Sequence, residues 1–151
     1  MKVVAIVASV VLGLGGAVFG IVIALRTTSS RVTGTISGSG GDLGTFTMQP
    51  DRCVSGERNQ FRGVQLFSGD GDAHGTAYAD PIGGSPTIAI NLEHAHKARK
   101  FEIYDCKVLD GEIERQNSTV NRITNIKGHI RFDCTTAGEH ATGDVTFENC
   151  H

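Results

Sequence analysis

The chain has 151 residues with 14 Lys and Arg, 16 Asp and Glu, 20 Gly, 4 Cys and no Trp, a length that suits one domain. Residues 32–151 hold all 16 acids but only 11 of the 14 bases. That balance excludes nucleic acid and anionic lipid headgroups as partners of this part, since both need a basic surface.

The first element is apolar. From Val3 to Leu25 there is no charged residue, Asn, Gln or Pro. As a helix rising about 1.5 Å per residue it spans about 34 Å, enough for a hydrocarbon core of ~30 Å. A cleaved signal peptide has a shorter apolar stretch and a small-residue cleavage site, and Ala24-Leu25-Arg26 offers no such site. Residues 1–26 therefore read as an uncleaved signal anchor, one N-terminal transmembrane helix. Residues 27–31 read as a short polar tether and residues 32–151 as the domain it carries. Lys2 balances Arg26 and Arg31 across the span, so the positive-inside bias leaves orientation open. Ala5, Ser9, Gly13 and Ala17 form one ridge of small residues, and Gly16, Gly20 and Ala24 form another. Such ridges let helix backbones approach closely, which makes helix-mediated self-association, or contact with an envelope protein partner, a candidate role for the anchor.

The remainder gives strand signals and no sustained helical period. Strands are expected at Val32–Ile36, Thr45–Met48, Phe61–Phe67, Thr76–Ala79, Thr87–Leu92, Lys100–Leu109, Glu112–Arg115, Val120–Ile126, Gly128–Cys134 and Asp144–Asn149. Gly/Ser residues 37–41, the acidic Gly-rich residues 68–75 and Asp80-Pro81 with Gly83-Gly84 read as turns. Residues 93–100 read as a solvated loop rather than a helical turn. Around nine short strands with frequent turns suggest an all-β fold, an antiparallel β-sandwich or small barrel. Val32-x-Gly34-x-Ile36 and Ile126-x-Gly128-x-Ile130 echo one another, each reading as a hairpin that exits into a cysteine.

Cys53, Cys106, Cys134 and Cys150 show no metal-ligand spacing. An even count in a small exported domain reads as two disulfides formed in an oxidising compartment, with three connectivities open. Cys134 follows Ile130 and Phe132 at period two and should point inward. Cys106 shares a face with Tyr104 and Val108. This favours Cys106–Cys134 and leaves Cys53–Cys150. A hairpin centred near Gly138 and Glu139 puts Cys134 opposite about Gly143 and disfavours a bond to Cys150. The domain is accordingly expected to face the periplasm or the cell exterior.

Site candidates are few. His94 and His96, spaced i, i+2, form a half-site for zinc or copper. A third ligand would come from Glu93, His74, His140 or His151, although Lys97, Arg99 and Lys100 oppose a cation. Asp70-x-Asp72-x-His74 departs from a calcium loop, because the position that needs a bidentate Glu is Pro81. Glu112 and Glu114 share a strand face and are acid–base candidates, although a solvated strand edge explains them more simply. No nucleophile, zinc-protease or phosphate-loop motif occurs, so no catalytic residue and no cofactor is expected. Asn117-Ser118-Thr119 matches a glycosylation acceptor pattern.

Pro50-x-x-Cys53-x-Ser55-Gly56, Phe61-x-Gly63-Val64-x-Leu66, Gly128-x-Ile130-x-Phe132-Asp133-Cys134 and the ending from Gly143 to His151 together resemble a group of small exported proteins of myxobacteria-like Gram-negative bacteria. The resemblance covers about residues 32–151. It implies a bacterial envelope location, which makes the Asn117 acceptor irrelevant, and it implies no activity. The expectation is a membrane-tethered, extracytoplasmic binding or structural module. The alternatives are a metal-binding domain using His94 and His96, and an enzyme whose site is not recognisable.

Overall fold

The computed structural model describes residues 29–69, 75–79, 85–92 and 97–151. The expected anchor, the acidic turn at 70–74 and the residue pair His94 and His96 lie outside the described residues. Among the described residues no helix is long and apolar enough to cross a membrane.

Among the described residues there are ten strands: β1 Arg31–Ser39, β2 Phe46–Met48, β3 Arg52–Ser55, β4 Gly63–Phe67, β5 Gly75–Ala79, β6 Thr87–Asn91, β7 Arg99–Glu102, β8 Cys106–Val120, β9 Ile123–Thr136 and β10 Glu139–Cys150. They form two five-stranded sheets, ordered β2-β1-β10-β9-β8 and β3-β4-β5-β6-β7. All pairings are antiparallel. The second sheet is a plain meander. The first is closed by the pairing of β1 with β10, strands from the two ends of the domain.

Strand alternation builds the core. Along β10, Glu139, Ala141, Gly143, Val145 and Phe147 are buried while His140, Asp144, Thr146 and Glu148 are exposed. Ile130, Phe132 and Cys134 do the same on β9, and Val64, Leu66, Ile88, Ile90 and Phe101 answer from the second sheet. In the first sheet aromatic rings lie across glycines of the neighbouring strand. Phe46 pairs with Gly38, Phe132 with Gly143 and Phe147 with Gly128. A Cβ added at Gly143 would sit 2.3 Å from the Phe132 ring, and one at Gly38 2.5 Å from Phe46. The glycines are therefore sockets for the rings, which is how a core poor in aromatics reaches close packing. The echoed segments lie in the two neighbours of β10, β1 and β9, and the cysteines downstream of them, Cys53 and Cys150, are bonded to each other.

Several expected boundaries move. The turn expected at 37–41 is still strand as far as Ser39, because Gly38 must lie under Phe46. β3 was hidden by its length of 4 residues. The single strand expected over Lys100–Leu109 is two, in different sheets, joined by a 3-10 turn at Ile103–Asp105. The backbone N–H of Glu102 donates to Asp105 Oδ2 at 2.9 Å and holds that turn. Tyr104 is 82% exposed there, so it does not share an inward face with Cys106, which is half-buried. Val120–Ile126 is broken at Asn121 and Arg122, with φ of 51° and 69°, the two left-handed residues of a tight hairpin. Ala137 and Gly138 form the equivalent turn between β9 and β10. That turn puts Cys134 opposite Ala141 rather than Gly143.

Cys53 is bonded to Cys150 and Cys106 to Cys134. The first bond joins β3 to β10 and so ties sheet to sheet. The second joins neighbouring strands of one sheet. Loops of 97 and 28 residues correspond to chain-entropy contributions of ~4.7 and ~3.6 kcal/mol. Replacing Cys53 and Cys150 by Ala should therefore lower unfolding stability by about 1 kcal/mol more than replacing Cys106 and Cys134. Urea unfolding of the two double variants measures this, and an equal or reversed order would contradict it.

Candidate functional site

At one end of the sandwich a buried carboxylate joins the sheets. Glu139 is 1% exposed at the start of β10. Its Oε1 accepts from the backbone N–H of Asp42 at 2.9 Å, of Leu43 at 3.3 Å and from Arg99 Nη2 at 3.0 Å. Arg99 Nε also meets Oε2. Arg99 lies on β7 in the other sheet, so the ion pair crosses the core edge and fixes the 3-10 turn at Gly41–Leu43 beneath it. No sequence signal marks Glu139, because its partners are 40 to 97 positions away. Removing one partner of such a pair leaves an uncompensated charge, so Glu139→Ala should destabilise by ~3–5 kcal/mol. In a double-mutant cycle with Arg99→Ala, chemical denaturation should show strong coupling; additive losses would refute the clamp.

At the opposite end the sheets part into a groove of ≈ 610 Å³. Phe61, Ile113 and Ile126 give it apolar walls, and Glu57, Gln60, Arg62 and Arg115 bring polar groups to it. Ser55 caps the short 3-10 turn at Gly56–Asn59 by accepting from Glu57 N–H at 3.4 Å. Glu57 then spans to the other sheet, 3.8 Å from Arg115 and accepting from the Thr124 N–H at 3.3 Å. These contacts are exposed and weaker than those of Glu139.

The third feature is β8. It is the last strand of its sheet, and no described residue pairs with its outer edge. Register is broken between Cys106 and Val108 and again between Arg115 and Thr119. Between these breaks Val108–Arg115 is regular. Backbone N–H and C=O groups of every second residue there point outward, the ledge on which an extended partner can add. Its C-terminal end, at Ile113 and Arg115, opens into the groove.

The outer face of this sheet is charged in columns. Asp110, Glu112 and Glu114 on β8 stand opposite Arg131, His129 and Lys127 on β9. Asp144 on β10 stands opposite Arg131. His129 Nε2 lies 2.7 Å from Asp144 Oδ1, and His140 Nε2 lies 2.8 Å from Asp133 Oδ1. Both imidazoles face open solvent on the sheet, where nothing shields a reacting atom from water. Lys127 Nζ is 2.8 Å from Glu114 Oε2.

His140 and His151 occupy opposite ends of β10, about 37 Å apart at the rise of a strand, so they cannot share an ion. His151 Nδ1 instead lies 3.1 Å from the backbone O of Asn149. Among the described residues no group of three His, Cys, Asp or Glu is placed to hold a metal. Asn117 is exposed on β8, and Glu112 and Glu114 are the carboxylates of the open edge.

No family model, curated protein or solved structure matches the chain. The site is therefore argued from its own geometry.

The Glu114–Lys127 pair gives that geometry an electrostatic readout. Hydrogen bonding to Lys127, then its charge, holds the Glu114 carboxyl below its ordinary value, and the same contact raises Lys127. A lowered carboxylate contributes above its unfolded value and loses that contribution as pH falls through the folded one. The raised lysine contributes below its unfolded value and loses it as pH rises through the folded one. In Lys127→Met, NMR titration should find Glu114 moved up toward its ordinary value of 4.5; an unmoved carboxyl would show that the pair does not form in solution.

Proposed function

We propose that the protein is a membrane-tethered, extracytoplasmic binding module whose partner adds an extended segment to the open edge of β8. The observation that supports this best is the ledge itself. Val108–Arg115 is a regular stretch of about eight residues, or ~26 Å of backbone, whose outer side is unpaired among the described residues, on a sandwich braced by two disulfides. Exposed edges of this length are ordinarily covered or shortened. The two disulfides point to an oxidising, extracytoplasmic setting. The tether to the membrane rests on the apolar residues 3–25, and a periplasm-facing placement rests on the resemblance to exported bacterial proteins.

The reading is tested with the full chain in its native host. It should sediment with membranes, with no thiol open to alkylation before reduction. A photo-crosslinking residue at Glu112 or Glu114 should give protein adducts, while the same residue at Thr146, exposed on β10 and flanked by β1 and β9, should not. Equal adducts at all three positions, or none at the edge, would remove the edge as the binding surface. Recovery in the soluble fraction with reactive thiols would remove the location.

A further inference from the structure

Over the middle of the first sheet the outward charges alternate in sign strand by strand. On β10 they include Asp144 and Glu148; on β9 they include Lys127, His129 and Arg131, with the acid Asp133 paired to His140 of β10; on the outer face of β8, between the bases Lys107 and Arg115 of that strand, they are Asp110, Glu112 and Glu114. The basic column is shared by two acidic ones. His129 is engaged by Asp144 on the β10 side, and among the described residues only Glu114 of the three edge acids has a base within ion-pair distance. The edge column is thus under-neutralised at the point where the backbone ledge is open.

A second copy of β8 does not fit. Antiparallel addition about a two-fold places residues of the same outward face opposite one another. Every register that overlaps Asp110, Glu112 and Glu114 with their own copies then sets acid against acid, which is repulsive. The next strand in the series must be basic. On the inner face, Leu109 and Ile113 are partly buried hydrophobics packed against the core. A strand added beside them meets apolar surface on that face and acid on the other.

We infer that the segment taken up by β8 is an extended basic peptide in which Lys or Arg alternates with apolar residues, the bases facing Asp110, Glu112 and Glu114 and the apolar residues covering Leu109 and Ile113. This rests on the edge reading above. It adds the chemistry of the partner.

The test uses the full chain in detergent micelles and three synthetic nine-residue peptides, alternating Lys/Val, Gln/Val and Glu/Val, with a scrambled Lys/Val control. Binding is followed by fluorescence anisotropy and by hydrogen exchange of the β8 amides. The Lys/Val peptide should slow exchange at Val108–Arg115 and bind about tenfold more tightly than Gln/Val, as expected for three added cross-strand charge pairs. Its affinity should fall with salt, and the exposed-site variant Glu112→Lys with Glu114→Lys should reverse the preference toward Glu/Val. Equal protection by Gln/Val and Lys/Val would overturn the basic partner and leave the edge reading standing. Protection by no peptide would overturn both. Equal binding of the scrambled control, without protection of β8, would reduce the effect to unspecific charge attraction and overturn the inference.

Discussion

The bond between Cys53 and Cys150 is the constraint on which the two-sheet arrangement depends. It joins the first strand of one sheet to the end of β10, which lies in the middle of the other. The covalent loop it closes contains the second sheet and three strands of the first, β8, β9 and β10. The domain has six of the chain's 7 Phe and no Trp to draw the sheets together, so hydrophobic burial alone is modest for its size. Phe132 and Phe147 lie across Gly143 and Gly128 within the first sheet, and holding β3 against β10 keeps the second sheet packed over them. A looser approach would leave the rings without partners on one side and forfeit their contact energy.

The ends of the sandwich then differ in kind. Around Glu139 the gap between the sheets is sealed by a carboxylate that accepts from two backbone amides and an arginine of the other sheet. The charge is tolerated there because it is paired and hydrogen-bonded, and it specifies one docking of β7 against β10. At the other end Glu57 reaches across to Arg115 and Thr124 through exposed contacts, which hold the sheets together weakly and leave the groove between them. The closed end supplies rigidity; the open end and the β8 ledge beside it supply surface. The Cys106–Cys134 bond completes the division, since it pins β8 to β9 just before the ledge begins.

The sequence showed most clearly what local alternation controls. Ile130, Phe132 and Cys134 at period two give the inward face of β9, and the same pattern gives Val64 and Leu66 on β4. It concealed what depends on the other sheet. Lys100–Leu109 reads as one strand because the crossing at Ile103–Asp105 contains no Gly or Pro and is held by a Glu102–Asp105 contact. Asn121-Arg122 was missed as a turn because Arg is no turn former; the register of the long β8–β9 ladder imposes left-handed backbone on it. Glu139 was invisible for the same reason at longer range. Glu112 and Glu114 were legible as a solvated strand edge, but the order of strands, which makes that edge the boundary of its sheet, is a tertiary property. His94 and His96 remain a sequence pattern alone, since they lie outside the described residues.

An open edge is ordinarily an invitation to pair with copies of the same chain. On β8 the features that prevent this are the ones that select a different partner. The register breaks at both ends confine regular backbone to Val108–Arg115, too short to template an extended stack of sheets. Within it, the acids at 110, 112 and 114 meet acids in any overlapping self-pairing, so association between copies carries a repulsive term that a basic strand replaces with an attractive one. Specificity is a difference of affinities, and one column of like charge acts on both sides of that difference. The backbone ledge can pair with any extended chain; the side chains above it restrict which chain gains by doing so.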